Sequence, residues 1–230
     1  MGCNDWNGVY SWSFIVHSRI PSGDFVGPGR VGANTKDRAG EPENSNTNLP
    51  GRGYAQNRPI RAEGERPMIH PIHLRDNVIV PVLQMMGSHN PKLADPKAVD
   101  LLLGTAAQES DLGYFLVQEQ ASNGAKGIYQ IEDATHDDIV KRYLERPENA
   151  LLKQLLQSIS PDSPNPNHLI GNLYYATFLA RIKYWMVPEP IPETREGQAD
   201  YYKRFFNTAE GAASVDEYLA SWDKFIGGYL

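Results

Sequence analysis

The chain has 230 residues, 40% of them hydrophobic, with 4 Trp, 12 Tyr and 7 Phe. That is enough for one cored domain with an extension, or for two small domains. A formal charge of −6 argues against nucleic acid or an anionic membrane as the main partner, since both want a basic face. The single cysteine, Cys3, rules out an internal disulfide framework.

The opening "MGCNDW" carries Trp6 where a myristoylation site needs Ser or Thr. No basic segment leads into an apolar stretch of signal-peptide type, and no apolar run approaches a membrane span. The sequence therefore predicts a protein made without an ordinary secretion signal and without membrane insertion. Residues 1–66 are rich in Gly, Pro, Asn, Ser and Arg and hold no sustained period, which predicts a loop or extended arm. Only "GVYSWSFIVHS", residues 8–18, reads as a strand. Trp6, Trp12, Phe14 and Phe25 suit either a solvated linker or an arm that orders against a partner surface.

From residue 67 to 230 the pattern is helical. "LRDNVIVPVLQMM" is a short apolar segment interrupted by Pro81. Asp95 and Pro96 give an N-cap followed by proline at the first helical position. Val99, Leu102, Leu103, Ala106 and Ala107 then mark one helical face. Thr135 with Asp138 has capping-box spacing and predicts a helix starting there. "NALLKQLLQSI" and "HLIGNLYYATFLARIKYW" are further helices, the second apolar nearly all round and so expected at the centre of the core. "VPEPIPE" is an extended connector. "GQADYYKRFFN" and "SVDEYLASWDKFI" close the chain as helices, the last with Ser214 and Glu217 in capping-box spacing. The fold class is mainly α, with an irregular N-terminal arm.

The candidate catalytic group is Glu109. Near 100° per residue it falls beside Leu102, at the edge of the apolar stripe. Partial burial and the carbonyl end of the helix dipole both favour its neutral form. A carboxylic acid kept neutral can donate a proton to a leaving oxygen, as glycosidases require. A surface glutamate in a last helical turn is the plain alternative. Downstream, Gly124 and Gly127 permit positive φ and close backbone approach. Tyr129 offers a ring for a sugar face, and Gln130 both a donor and an acceptor.

Glu109-Ser110, then Gly124-Ala125-Lys126-Gly127-Ile128-Tyr129-Gln130-Ile131, then Ala134-Thr135 resemble, in order and spacing, the lytic transglycosylase and goose-type lysozyme-like superfamily. Phe206-Asn207-Thr208-Ala209-Glu210-Gly211 echoes that family's third block. The likeness covers roughly residues 95–215. Departures are Asp133 for a usual Pro, Ala121 for Ser, Phe206 for Tyr and Ala209 for Gly. The resemblance implies a lysozyme-like helical domain in which Glu109 is catalytic. It also implies that Ser110, Gly127, Tyr129, Gln130 and Asn207 bind the substrate.

Hydrolysis would ask for a second carboxylate, with Asp111, Glu119, Glu132 and Asp133 as candidates. The transglycosylases this chain resembles use one glutamate. It protonates the glycosidic oxygen, then takes the proton from the C6 hydroxyl of N-acetylmuramic acid, leaving an anhydro-sugar. His70 and His73 have metal-like spacing, but no Cys or Glu completes a set and Pro71 breaks a helical H-x-x-H. No metal and no cofactor is expected. The implied partner is the peptidoglycan glycan strand, with other tail proteins of a bacteriophage virion bound through residues 1–66. In that setting the particle, not secretion, carries the enzyme to the cell wall. Two other readings are open: a non-catalytic structural tail or adaptor protein on the same fold, and an endolysin released through a holin.

Overall fold

The computed structural model describes residues 68–117, 124–207 and 213–230. The expected arm with its strand at 8–18, Cys3, Glu119, Ala121 and positions 208–211 lie outside the described residues. What is described is mainly α-helical. Its only β-pairing is two isolated antiparallel bridges, Val117 with Lys126 and Lys126 with Ile131.

The first helical run comprises α1 (Pro71–Leu74), a π segment (Arg75–Ile79) and α2 (Val80–Gly87). Pro81 does not break it, contrary to the sequence expectation. Pro81 has no N–H for the Asn77 carbonyl four residues back. That carbonyl instead accepts the Tyr174 hydroxyl at 3.1 Å.

Helix α3 (Pro96–Ser110) begins as predicted, with the Asp95 side chain accepting from Lys97 N–H at 2.9 Å. The single apolar face read from the sequence understates its burial, because every residue from Leu101 to Ala107 is buried. Helix α4 (Asp133–Asp137) starts two residues before Thr135, with Glu132 as an N-cap that makes no side-chain cap bond. The predicted Thr135 cap is thus absent, and Thr135 lies in the first turn. A π segment (Asp138–Tyr143) and α5 (Ala150–Ile159) follow.

The long apolar stretch divides at Asn172 into α6 (His168–Gly171) and α7 (Leu173–Trp185). The Asn172 side chain accepts from Tyr175 N–H at 3.0 Å and so starts the second helix. Tyr175 to Ile182 are all buried, which puts α7 in the core as expected. Tyr184 reaches from α7 to α3 through its hydroxyl, 2.7 Å from Thr105 Oγ1.

Helix α8 (Arg195–Tyr202) runs on into a π segment, Lys203–Asn207. Helix α9 (Val215–Phe225) carries the full capping box of Ser214 and Glu217. It packs on α3 where Gly104 has no side chain. A Cβ there would sit 2.0 Å from the Tyr218 hydroxyl and 2.9 Å from Trp222 Cε3.

In a free helix Gly→Ala gains about 1 kcal/mol. At position 104 the clash with two buried aromatic side chains reverses the sign. Gly104→Ala is expected to destabilise the protein by about 1–3 kcal/mol, the usual cost of overpacking. Denaturant unfolding of the two proteins checks this, and an alanine variant as stable as the parent would show that α9 yields.

Candidate active site

Glu109 stands in the last turn of α3, and the chain leaves that helix through a strained turn. Asp111, Leu112 and Gly113 have φ of 51°, 56° and 90°. The left-handed region suits glycine and tolerates aspartate, but it is unfavourable for leucine. Leu112 is nevertheless fully buried, and its carbonyl accepts from Ile69 N–H at 3.1 Å. Packing therefore holds the strain in place.

Ser110 is the joint between this turn and the glycine segment. It is fully buried, so it cannot touch a substrate as expected from the resemblance. Its hydroxyl donates to the Ile128 carbonyl at 2.7 Å, lies 3.1 Å from the Ala106 carbonyl, and accepts from Gly113 N–H at 2.9 Å. Three segments meet at one oxygen, and Glu109 is the residue just before it.

Residues 126–131 form a tight hairpin. Lys126 and Ile131 exchange backbone hydrogen bonds at 3.1 and 3.0 Å, and Gln130 N–H donates to Gly127 O at 3.0 Å. Gly127 has φ 73°, and a Cβ there would fall 2.0 Å from the Leu169 carbonyl oxygen. The expected close approach is real, but it is to the chain's own backbone. Tyr129 corrects the sequence reading more sharply. Its side chain is wholly buried, with the hydroxyl 3.2 Å from Thr177 Oγ1 on α7. That ring anchors the hairpin to the core and offers no face to a sugar. Gln130 donates through Nε2 to Gly127 O at 2.8 Å and to Phe115 O at 3.2 Å. The donor end of the expected substrate amide is thus bonded within the protein.

Asn207, by contrast, shares a cleft with Glu109. The cleft has a volume of about 310 Å³ and is lined by Gln108, Glu109, Tyr202, Asn207, Ala213 and Glu217. The Tyr202 hydroxyl donates to Glu109 Oε1 at 2.7 Å, and Asn207 lines the cleft beside that phenol. Asn207 Oδ1 in turn accepts from Lys203 Nζ at 3.0 Å. On the other side, Ser221 Oγ donates to Gln108 Oε1 at 2.7 Å.

Burial pushes the Glu109 carboxyl above its ordinary range. The Tyr202 hydrogen bond and the Lys183 charge pull it back, and Glu132 pushes it further up. Of the other acids considered, Asp133 is ion-paired with Lys126, and Asp111 forms the left-handed cap of α3. Among the described residues no group of three or more His, Cys, Asp or Glu could hold a metal ion.

Tyr202 and Lys183 escaped the sequence reading. Tyr201 and Tyr202 are adjacent and equally apolar, so only tertiary packing selects which one reaches Glu109. Lys183 did leave a trace. It sits in a helix apolar nearly all round, where a cation has no solvated face of its own. No family model, no curated protein and no solved structure matches the chain.

The raised Glu109 carboxyl links pH to stability. The folded state favours its protonated form, so this contribution is complete below the unfolded carboxylate range, about pH 4. It is lost as pH rises through the folded value. Glu109→Gln keeps the acceptor for Tyr202 and never ionises. It is expected to be more stable than the parent at neutral pH and equally stable near pH ~4. Thermal unfolding across pH checks this. A parent protein that gains on the variant as pH rises would mean that Tyr202 and Lys183 outweigh burial.

Proposed function

We propose that the protein cleaves the glycan strand of peptidoglycan as a lytic transglycosylase on a lysozyme-like fold, with Glu109 as its acid and base. The observation that carries this reading is a half-buried carboxyl, raised by burial, opening on a cleft and held by a phenol. Support also comes from the Glu109-Ser110 and Gly124–Ile131 blocks, which are joined through the Ser110 hydroxyl. The resemblance to the family lacks a phenol at Phe206, yet Tyr202 supplies one to Glu109 from the preceding turn.

Tyr202 occupies Oε1, so Oε2 is the oxygen that carries the transferable proton. Oε2–H protonates the glycosidic oxygen as the bond from C1 of N-acetylmuramic acid to that oxygen breaks. The C6 hydroxyl then closes on C1 and returns its proton to the Glu109 carboxylate. One group serves twice, and water is not consumed. Substrate contacts in this scheme come from Asn207, Gln108 and Glu217, with Ser110, Gly127 and Tyr129 in supporting roles.

The site of action proposed is the bacterial cell wall, with the protein carried in a phage tail and residues 1–66 binding other virion proteins. The aromatic content of that segment supports a partner-binding arm. A negative overall charge suits an enzyme delivered by a particle better than one diffusing to an anionic wall.

Product analysis tests the reading. Digests of purified peptidoglycan are expected to carry 1,6-anhydromuramic ends with no solvent ¹⁸O, at a rate that falls as pH rises and Glu109 loses its proton. Reducing ends bearing ¹⁸O would make the protein a hydrolase and turn attention to Glu132. No cleavage at any pH would leave the non-catalytic virion component as the reading.

A further inference from the structure

Lys183 lies on α7 and is partly buried. Its ammonium donates to the Phe206 carbonyl at 2.8 Å and stands 3.8 Å from the centroid of the Phe206 ring. Phe206 belongs to the π segment Lys203–Asn207. The last carbonyls of a helical segment have no partner within it and can take side-chain donors instead. The same segment ends in Asn207 and follows directly on Tyr202, so the Lys183 contact grips one wall of the cleft from the core side.

We propose that Lys183 is a positioning residue for the Glu109 site. It fastens the Tyr202–Asn207 wall to α7 and holds a positive charge behind that wall of the cleft. The inference rests on Glu109 being the acid and base of the reaction. A group that must give a proton and then take one back fails if burial alone sets its affinity, because it would hold the proton too tightly to cycle.

Among the described residues, three side chains act on the Glu109 carboxyl. Tyr202 comes from α8, Lys183 from α7, and Glu132 from the residues before α4. Glu217 of α9 lines the same cleft, its carboxylate occupied by Ser214 N–H at 2.7 Å. Lys203 also reaches the cleft, donating to Asn207 Oδ1 at 3.0 Å, and Lys183 is the cation that acts on the Glu109 carboxyl. Burial lowers its ammonium to about 8, while Glu109 and Glu132 draw it back up. Lys183 therefore loses its charge in the mildly alkaline range.

The experiment is a ¹³C NMR titration of the glutamate carboxyls in the full chain, with Glu109→Gln assigning the resonance. In Lys183→Met the Glu109 titration is expected to move to higher pH, and the alkaline limb of peptidoglycan cleavage to move with it. Lys183→Arg, which keeps the charge, should bring both back toward the parent. In the parent itself the Glu109 resonance should show a second inflection near pH 8 as Lys183 deprotonates.

A folded Lys183→Met protein with an unmoved Glu109 titration overturns the assignment, because a merely structural lysine would alter stability or rate and not proton affinity. If that variant does not fold, the parent decides, and absence of the second inflection overturns it equally. A shifted Glu109 titration in a protein whose parent cleaves no peptidoglycan would remove the transglycosylase reading and leave the charge coupling standing.

Discussion

Seven consecutive residues of α3, Leu101 to Ala107, are buried, so the core surrounds the helix on every side and fixes where its last turn emerges. The site depends on this constraint. α9 closes on α3 at Gly104, and Tyr184 of α7 reaches Thr105. The exit turn at Asp111–Gly113 is held in left-handed geometry that Leu112 would not choose alone. Glu109 is fixed between a rigid helix and a strained turn, with little freedom of its own. Such rigidity is what proton transfer to a bound oxygen requires, since the donor must already stand within hydrogen-bond reach.

Around that fixed point burial outweighs the opposing charges. Burial favours the neutral acid, the Tyr202 hydroxyl and the Lys183 charge favour the anion, and Glu132 opposes the anion. The π segment at Lys203–Asn207 matters here because it lets one short stretch face two ways. Phe206 turns inward under the Lys183 ammonium, while Asn207 faces the cleft with Tyr202. π segments recur at functional positions because they re-aim side chains without ending the helix.

The sequence was most readable where local chemistry decides the outcome. Asp95 with Pro96 and Ser214 with Glu217 are caps in sequence and in structure, because a cap needs only a short polar side chain beside a helix start. The Thr135 pattern failed although its spacing was correct. The hairpin and the Lys126–Asp133 pair bring the helix start forward to Asp133. The mainly helical character and the central place of the apolar α7 stretch were legible from periodicity. Pro81 was not, since whether a proline ends a helix depends on what its orphaned carbonyl can find, here Tyr174.

The candidate site was legible to the same degree. Glu109 stood out because an acid at the edge of an apolar stripe is anomalous, and Asn207 does share its cleft. Tyr129 is placed on the substrate by its residue type and Ser110 by the resemblance, yet both are buried and join segments of the chain. Residue type shows what a side chain can do, whereas long-range packing decides which way it points. Proton transfer by Glu109 is the proposed step on which the reaction turns, and turnover of purified peptidoglycan by Glu109→Gln against the parent tests it most directly. At equal folded protein the variant is expected to lose roughly 10²–10⁴-fold in rate, the usual contribution of a general acid–base group. Turnover at the parent's rate would contradict the account.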